Sequence, residues 1–216
     1  MRSCLRLRAR AVPARGVHIA GERERMLFWG VLGTTAVGDQ TAGDWLAARC
    51  GSVQTGAMSI TPCVKTLDPQ YYVGIRRVAK QQDLKAAYAE ILPRVFHWLN
   101  ERGVTATSPP LTVYHFVNQE TGDFDVQPGF LVAEAMQGEG DIGCGQTAGG
   151  EVLCATHVGP YTGLAETWQA LFAHAKTIRR PVTRSSWEIY MSNPDKVAPE
   201  KLRTDIFVPI DPPPVS

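Results

Sequence analysis

The sequence predicts an α+β fold: two β-α-β-β units forming one antiparallel sheet, with two helices on one face and a ligand groove on the other. Three observations carry this. Two stretches, around Tyr88 and around Trp168, place apolar residues at three-four spacing. Short β-rich runs bounded by Gly, Pro and Asn flank both. The two helical stretches also superpose at a shift of 80 residues, with Leu84 on Leu164, Tyr88 on Trp168, Ile91 on Leu171 and Leu92 on Phe172. A shift of 76 places Tyr114 on Tyr190 and Thr112 on Glu188, which marks an internal duplication.

The elements follow in order. Tyr71 to Ile75 reads as a strand. Asp83 opens a helix of about 20 residues, with Leu84, Tyr88, Ile91, Leu92, Val95, Trp98 and Leu99 as its apolar face. Gly103 ends it, and Pro93 is expected to kink or break it. Leu111 to Val117 and Phe124 to Ala135 read as strands, the second interrupted at Pro128 and Gly129. Glu151 to Val158 opens the second unit as a strand. Gly159 and Pro160 start a helix that Arg179, Arg180 and Pro181 close. Ser186 to Met191 and Leu202 to Ile210 are the last two strands. Gly140 to Gly150 is glycine-rich but has no phosphate-binding spacing, and reads as a loop.

Charge divides the chain. Of 216 residues, 22 are basic and 21 acidic. Residues 1–57 hold eight arginines, no lysine and four acids, a charge of +4. Residues 58–216 hold 14 basic and 17 acidic residues, a charge of −3. The 1–57 leader lacks hydrophobic periodicity and is expected to be unstructured. Its expected origin is a mis-assigned start, with Met58 as the true first residue. A targeting segment is the alternative, with the uncharged run Met26 to Gly38 too short to span a bilayer. The folded unit is expected at 58–212, with 213–216 a tail. Near neutrality gives no bulk charge for binding nucleic acid directly, and no segment predicts a membrane span. Five cysteines without a CxxC pair, and five histidines without ligand spacing, predict no metal, no cofactor and no disulfide framework. Reduced thiols suit a cytoplasmic protein.

The second half carries a resemblance. His157, Gly159, Pro160 and Tyr161 are followed by Leu164, Trp168 and Leu171, then by Ser186-Trp187-Glu188-Ile189-Tyr190, then Asn193-Pro194, then Leu202 through Asp205 to Pro209. These pieces, in this order, resemble the GyrI-like small-molecule-binding domain. That is the effector-binding domain of AraC-type and MerR-type regulators, related to the SOUL fold, and it also occurs alone. The resemblance covers about residues 59–211. Nothing in 1–57 resembles a helix-turn-helix, so a stand-alone member is implied.

Glu188 is the foremost site candidate. Strand alternation puts Ser186, Glu188 and Tyr190 on one face and Trp187 and Ile189 on the other. An acid among aromatics inside a strand conflicts with strand propensity. If it faces a groove, burial raises its pKa and aromatic walls exclude water, which suits a flat cation. The resemblance implies a pocket glutamate at this position. Tyr161 is a candidate hydrogen-bond donor or a staple of the helix start. Trp168 reads as core or as ligand contact. Tyr190, Tyr114 and Phe116 are further ligand-binding candidates, Tyr114 and Phe116 sharing a strand face by alternation. His157 is the last, a lone histidine at a strand end.

Three functions follow as expectations. The first is a stand-alone protein binding amphipathic or cationic aromatic compounds. The second, implied by some members of the resembled family, is a hydrolase opening cyclopropane rings of DNA-alkylating natural products. Glu188 would act as its carboxylate catalyst and Tyr161 as its donor. The third is a gyrase-inhibitor-type or regulatory interaction protein, whose protein partner the sequence does not name.

Overall fold

The structure is a computed structural model and describes residues 60–182 and 185–212. The expectations for the 1–57 leader and the 213–216 tail lie outside the described residues. Among the described residues, nine strands and two long helices run in the order β1 (Cys63–Leu67), β2 (Tyr71–Ile75), β3 (Arg77–Lys80), α1 (Leu84–Glu101), β4 (Leu111–Val117), β5 (Asp123–Val132), β6 (Ile142–Gln146), β7 (Gly150–Val158), α2 (Leu164–Thr177), β8 (Ser186–Tyr190) and β9 (Arg203–Pro209). They form a mostly antiparallel open sheet, ordered β1-β7-β9-β8-β4-β5-β2-β6, with β3 beside β5. The fold is α+β.

The duplication is visible in this order. From the centre outwards, β8-β9-β7 on one side matches β4-β5-β2 on the other. Each half is one strand-helix-strand-strand unit, and the halves meet where β4 pairs β8. Both helices lie on the same face. Helix α1 buries Ile91, Leu92 and Val95 against Val73, Val126 and Phe130 of the first half. Helix α2 buries Leu171 and Ala175 against Leu153, Ala155, Ile206 and Val208 of the second. Fully burying such a side chain contributes about 1.5–3 kcal/mol.

The face without helices differs from expectation. It is filled by Leu111, Val113, Leu131, Val152, Trp187, Ile189 and Phe207, all buried. The rings of Trp187 and Phe207 stack at 5.2 Å and 14°. Among the described residues, strand side chains cover one another there, and that face holds a third core in place of the expected groove. Alternation separates the two faces of a strand but does not say which one the helices cover.

Three local expectations also change. Helix α1 runs through Pro93 as one continuous element. Strand β5 runs through Pro128 and Gly129, because its partner changes there. β3 pairs with Asp123–Val126, whereas β2 pairs with Gly129–Val132. Pro128 therefore sits at the switch, where its missing N–H spares the ladder. Gly129 is required by close approach, since a Cβ would lie 1.9 Å from the Val73 carbonyl oxygen. Finally, part of the glycine-rich segment is strand β6, paired with β2. Gly145 lies opposite Tyr72, where a Cβ would sit 2.6 Å from the phenol oxygen. The glycines accommodate a tyrosine, and their lack of side-chain pattern hid the strand.

Candidate functional site

Strand β8 is central, so both its neighbours constrain Glu188. The residue faces Thr112 on β4 and Ile206 on β9. Ile206 belongs to the core under α2, which fixes Glu188 on the helix-bearing face. Tyr190, on the same face, packs into the core under α1. Glu188 therefore stands in the seam between the two helices, the side opposite to the one the groove expectation gave it.

The carboxylate is 2% exposed. Three side chains donate to it. Trp168 Nε1, from α2, lies 2.5 Å from Oε1. The hydroxyls of Tyr190 and Tyr114 lie 2.9 and 3.0 Å from Oε2. The Tyr190 phenol is also 3.2 Å from Thr112 Oγ1. Tyr88, from α1, completes the group with its hydroxyl against Thr112, Tyr114 and Tyr190. The ring of Tyr114 meets Trp168 edge-on at 5.6 Å, and Tyr161 meets Tyr190 edge-on at 6.0 Å. Such pairs favour the edge-to-face arrangement because ring faces are negative and edges positive.

Two opposing effects set the protonation of Glu188. Burial penalises the charged form and raises its pKa, while the Trp168, Tyr190 and Tyr114 donors lower it. Hydrogen bonds to a charged group are worth about 1.5–3 kcal/mol each. Burial still wins, and the net shift is upward. Among the described residues, no basic side chain figures in the groups that set it. The phenols respond in the same direction. Burial, then the nearby Glu188 charge, pushes Tyr161 up to about 12 and holds Tyr114 and Tyr190 well above the ordinary phenol value. These groups are neutral donors at physiological pH.

Of the residues named from sequence, Glu188, Tyr190, Tyr114, Trp168 and Tyr161 come together here. Phe116 does not. The register slips between Tyr114 and Phe116, so Phe116 faces Asp125 while Tyr114 faces Val126. That β-bulge turns Phe116 to the other face, where it is 62% exposed. His157 lies elsewhere, buried at the foot of α2. Its Nδ1 is 2.9 Å from Thr167 Oγ1 and its Nε2 is 3.0 Å from the Pro160 carbonyl oxygen. A carbonyl only accepts, so Nε2 carries the hydrogen and donates. His157 thus ties the end of β7 to the start of α2. The Gly159-Pro160 turn delivers Tyr161 in a short 3-10 turn, Tyr161–Gly163, ahead of α2.

Thr112 and Tyr88 were not named from sequence as site residues. The repeat held the signal: Tyr88 is the counterpart of Trp168, and Thr112 the counterpart of Glu188. The seam is narrow but aromatic at its rim. Trp168 is half-buried, and its neighbour Phe172, 5.6 Å away centre to centre, is 40% exposed. A separate depression at the far edge is lined by Gly149, Glu151, Pro209, Asp211 and Pro212. It lacks the seam's convergent donors. Among the described residues no helix is long and apolar enough to cross a membrane.

Solved structures share this fold. The EcmrR C-terminal domain superposes with a TM-score of 0.62 at 20% identity, over 71% of this chain and 99% of that one. EcmrR in a complex with DNA superposes with a TM-score of 0.61 at 19% identity, over 70% of this chain. The match spans only 57% of that EcmrR chain. An uncharacterized conserved protein from Listeria innocua follows with a TM-score of 0.52 at 16% identity, over 69% of this chain and 92% of that one. No curated protein matches the sequence. The family model of the GyrI-like small molecule binding domain matches residues 61–211, and the chain belongs to that family.

Proposed function

We propose that this chain binds amphipathic, cationic aromatic compounds in the seam between α1 and α2, with Glu188 as the counter-charge. One observation carries the reading: Glu188 is only 2% exposed, ringed by aromatic side chains, and among the described residues no basic side chain figures in the groups that set its titration. A buried charge without a counter-ion is costly. A flat cation supplies that counter-ion, and the aromatic rings supply the stacking surface.

In the described conformation the seam is closed by its own hydrogen bonds. Trp168 is the natural gate, since it is half-buried and backed by exposed Phe172. A ligand displaces its indole from Oε1, replacing one donor with a full positive charge. Family membership supports small-molecule binding in general. The likeness to EcmrR domains concerns the fold. The choice of a cationic ligand rests on Glu188.

A second reading has one observation in its favour. The raised pKa makes Glu188 a stronger base than an ordinary carboxylate, and neutral Tyr161 lies beside Tyr190 in the same cluster. Glu188 would take a proton from water as its oxygen bonds to a strained cyclopropane carbon; the ring C–C bond breaks, its electron pair passes to the conjugated carbonyl oxygen, and Tyr161 would donate to that phenolate-type oxygen. Calorimetric titration with quaternary aromatic cations and their neutral isosteres tests the main reading. Cations should bind more tightly, and Glu188→Gln should lose about 10–100-fold in cation affinity alone. Equal binding of both classes, or none, overturns it. Ring-opened product accumulating beyond one equivalent from a cyclopropane-bearing alkylator would establish the hydrolase instead.

A further inference from the structure

Away from the seam, two cysteines form a site of their own. Cys63 on β1 and Cys154 on β7 are directly paired residues of an antiparallel ladder. Their sulfurs are 2.7 Å apart, and Cys154 Sγ lies 3.3 Å from the Cys63 carbonyl oxygen. Directly opposed strand residues fall within the Cα separation a disulfide needs, and their side chains leave the same face. Only a small rotation separates the sulfurs from the ~2.05 Å bonding distance. The placement also orders the chemistry. Cys63 is half-buried on β1, the outermost of the described strands on that side, so an oxidant reaches it, whereas Cys154 is 5% exposed. Among the described strands, β1 pairs with β7 alone.

We propose that Cys63 and Cys154 are a redox-active dithiol that closes into an intrachain disulfide, stapling edge strand β1 to β7. The oxidant is a small disulfide such as oxidised glutathione. The Cys63 thiolate attacks it, forms a mixed disulfide and releases one glutathione thiolate. The Cys154 thiolate then attacks Cys63 Sγ and expels the second glutathione. Two thiol protons end on the two glutathiones, and the two electrons lost by the protein reduce the reagent. The bond encloses the chain from β1 to β7, which contains α1 and the whole first half of the sheet. Closing a loop this long restricts the unfolded chain strongly.

The test uses the full chain, exposed to oxidised glutathione while native and, separately, in denaturant. Remaining thiols are alkylated and the digest is read by mass spectrometry. The expected result is a Cys63–Cys154 cross-linked peptide as the main oxidised species from the native protein. Its yield should fall at least several-fold when the chain is oxidised unfolded, where Cys4, Cys50 and Cys144 compete. The amides of Cys63–Leu67 should exchange hydrogen more slowly after oxidation, and Tm should rise by about 5–10 °C. Cys63→Ala should abolish the cross-link and the Tm rise together. Two results overturn the proposal: both cysteines fully alkylated after native oxidation, or equal cross-link yields from folded and unfolded chain.

Discussion

Thr112 and Glu188 face each other across the central strand pair, and they are the same position of the two halves. The β4–β8 register sets Leu111 opposite Ile189, Thr112 opposite Glu188 and Val113 opposite Trp187. The repeat relates the halves by 76 residues in this region, so only at Thr112 and Glu188 do partner and counterpart coincide. The pseudo-two-fold axis passes between them. One half places a hydroxyl at the axis and the other a carboxylate, so the site is where the duplication stops being symmetric. Tyr114 and Tyr190, also counterparts, both donate to that one carboxylate.

Stability should carry the signature of Glu188 in its pH dependence. Its folded pKa lies above the ordinary value, so the folded state holds the proton more tightly than the unfolded state. Stability therefore falls as pH rises from the ordinary carboxylate range through the raised pKa, and levels off above it. Glu188→Gln should lack this loss. The Tm difference between variant and parent, measured from pH 4 to 8, should grow in the variant's favour across that window. A pH-independent difference would contradict the burial described.

Trp168→Phe keeps an aromatic ring and removes the indole donor to Oε1. Loss of one hydrogen bond to a charged group should cost about 1.5–3 kcal/mol where the carboxylate is ionised. Less when it is protonated, the cost should show as a larger Tm drop at neutral pH than at pH 4. The Glu188 carboxyl resonance, followed by NMR, should titrate at higher pH than in the parent.

Tyr114→Phe and Phe116→Ala form a matched pair two residues apart. The first removes a 3.0 Å donor to Glu188 and should weaken cation binding and raise the carboxyl pKa. The second removes a ring that is 62% exposed on the other face. It should change stability by about 0.5 kcal/mol or less and leave ligand affinity unaltered in calorimetry. Equal loss of affinity in both would mean that Phe116 reaches the site.

Gly129→Ala should be among the most damaging small substitutions. The added methyl would sit 1.9 Å from the Val73 backbone oxygen, so β2 and β5 must separate. Overpacking of this kind costs about 1–3 kcal/mol or more. Denaturant unfolding should show the midpoint falling at nearly constant slope.

Much of the architecture follows from local pattern. Three-four apolar spacing fixed α1 and α2, because a helix on a sheet must bury one stripe. Alternation in Ser186–Tyr190 put Glu188 and Tyr190 on one face, since strand side chains point up and down in turn. The strands it missed lack a fully buried apolar face in such a pattern. β1 and β3 are short with half-buried alternation, and β6 is mostly glycine and small residues. The β-bulge after Tyr114 has no local signature, and it alone removed Phe116 from the site.

The sequence by itself determined the duplicated α+β frame and singled out Glu188, because periodicity and an acid in an aromatic strand are local properties. Tertiary structure alone decided which face that acid occupies, who donates to it and how deeply it is buried. Apart from Tyr190, two residues along the same strand, those depend on residues brought together from 20 to more than 70 positions away, such as Trp168 and Tyr114. Periodicity in one strand is blind to which side of the sheet the helices will cover.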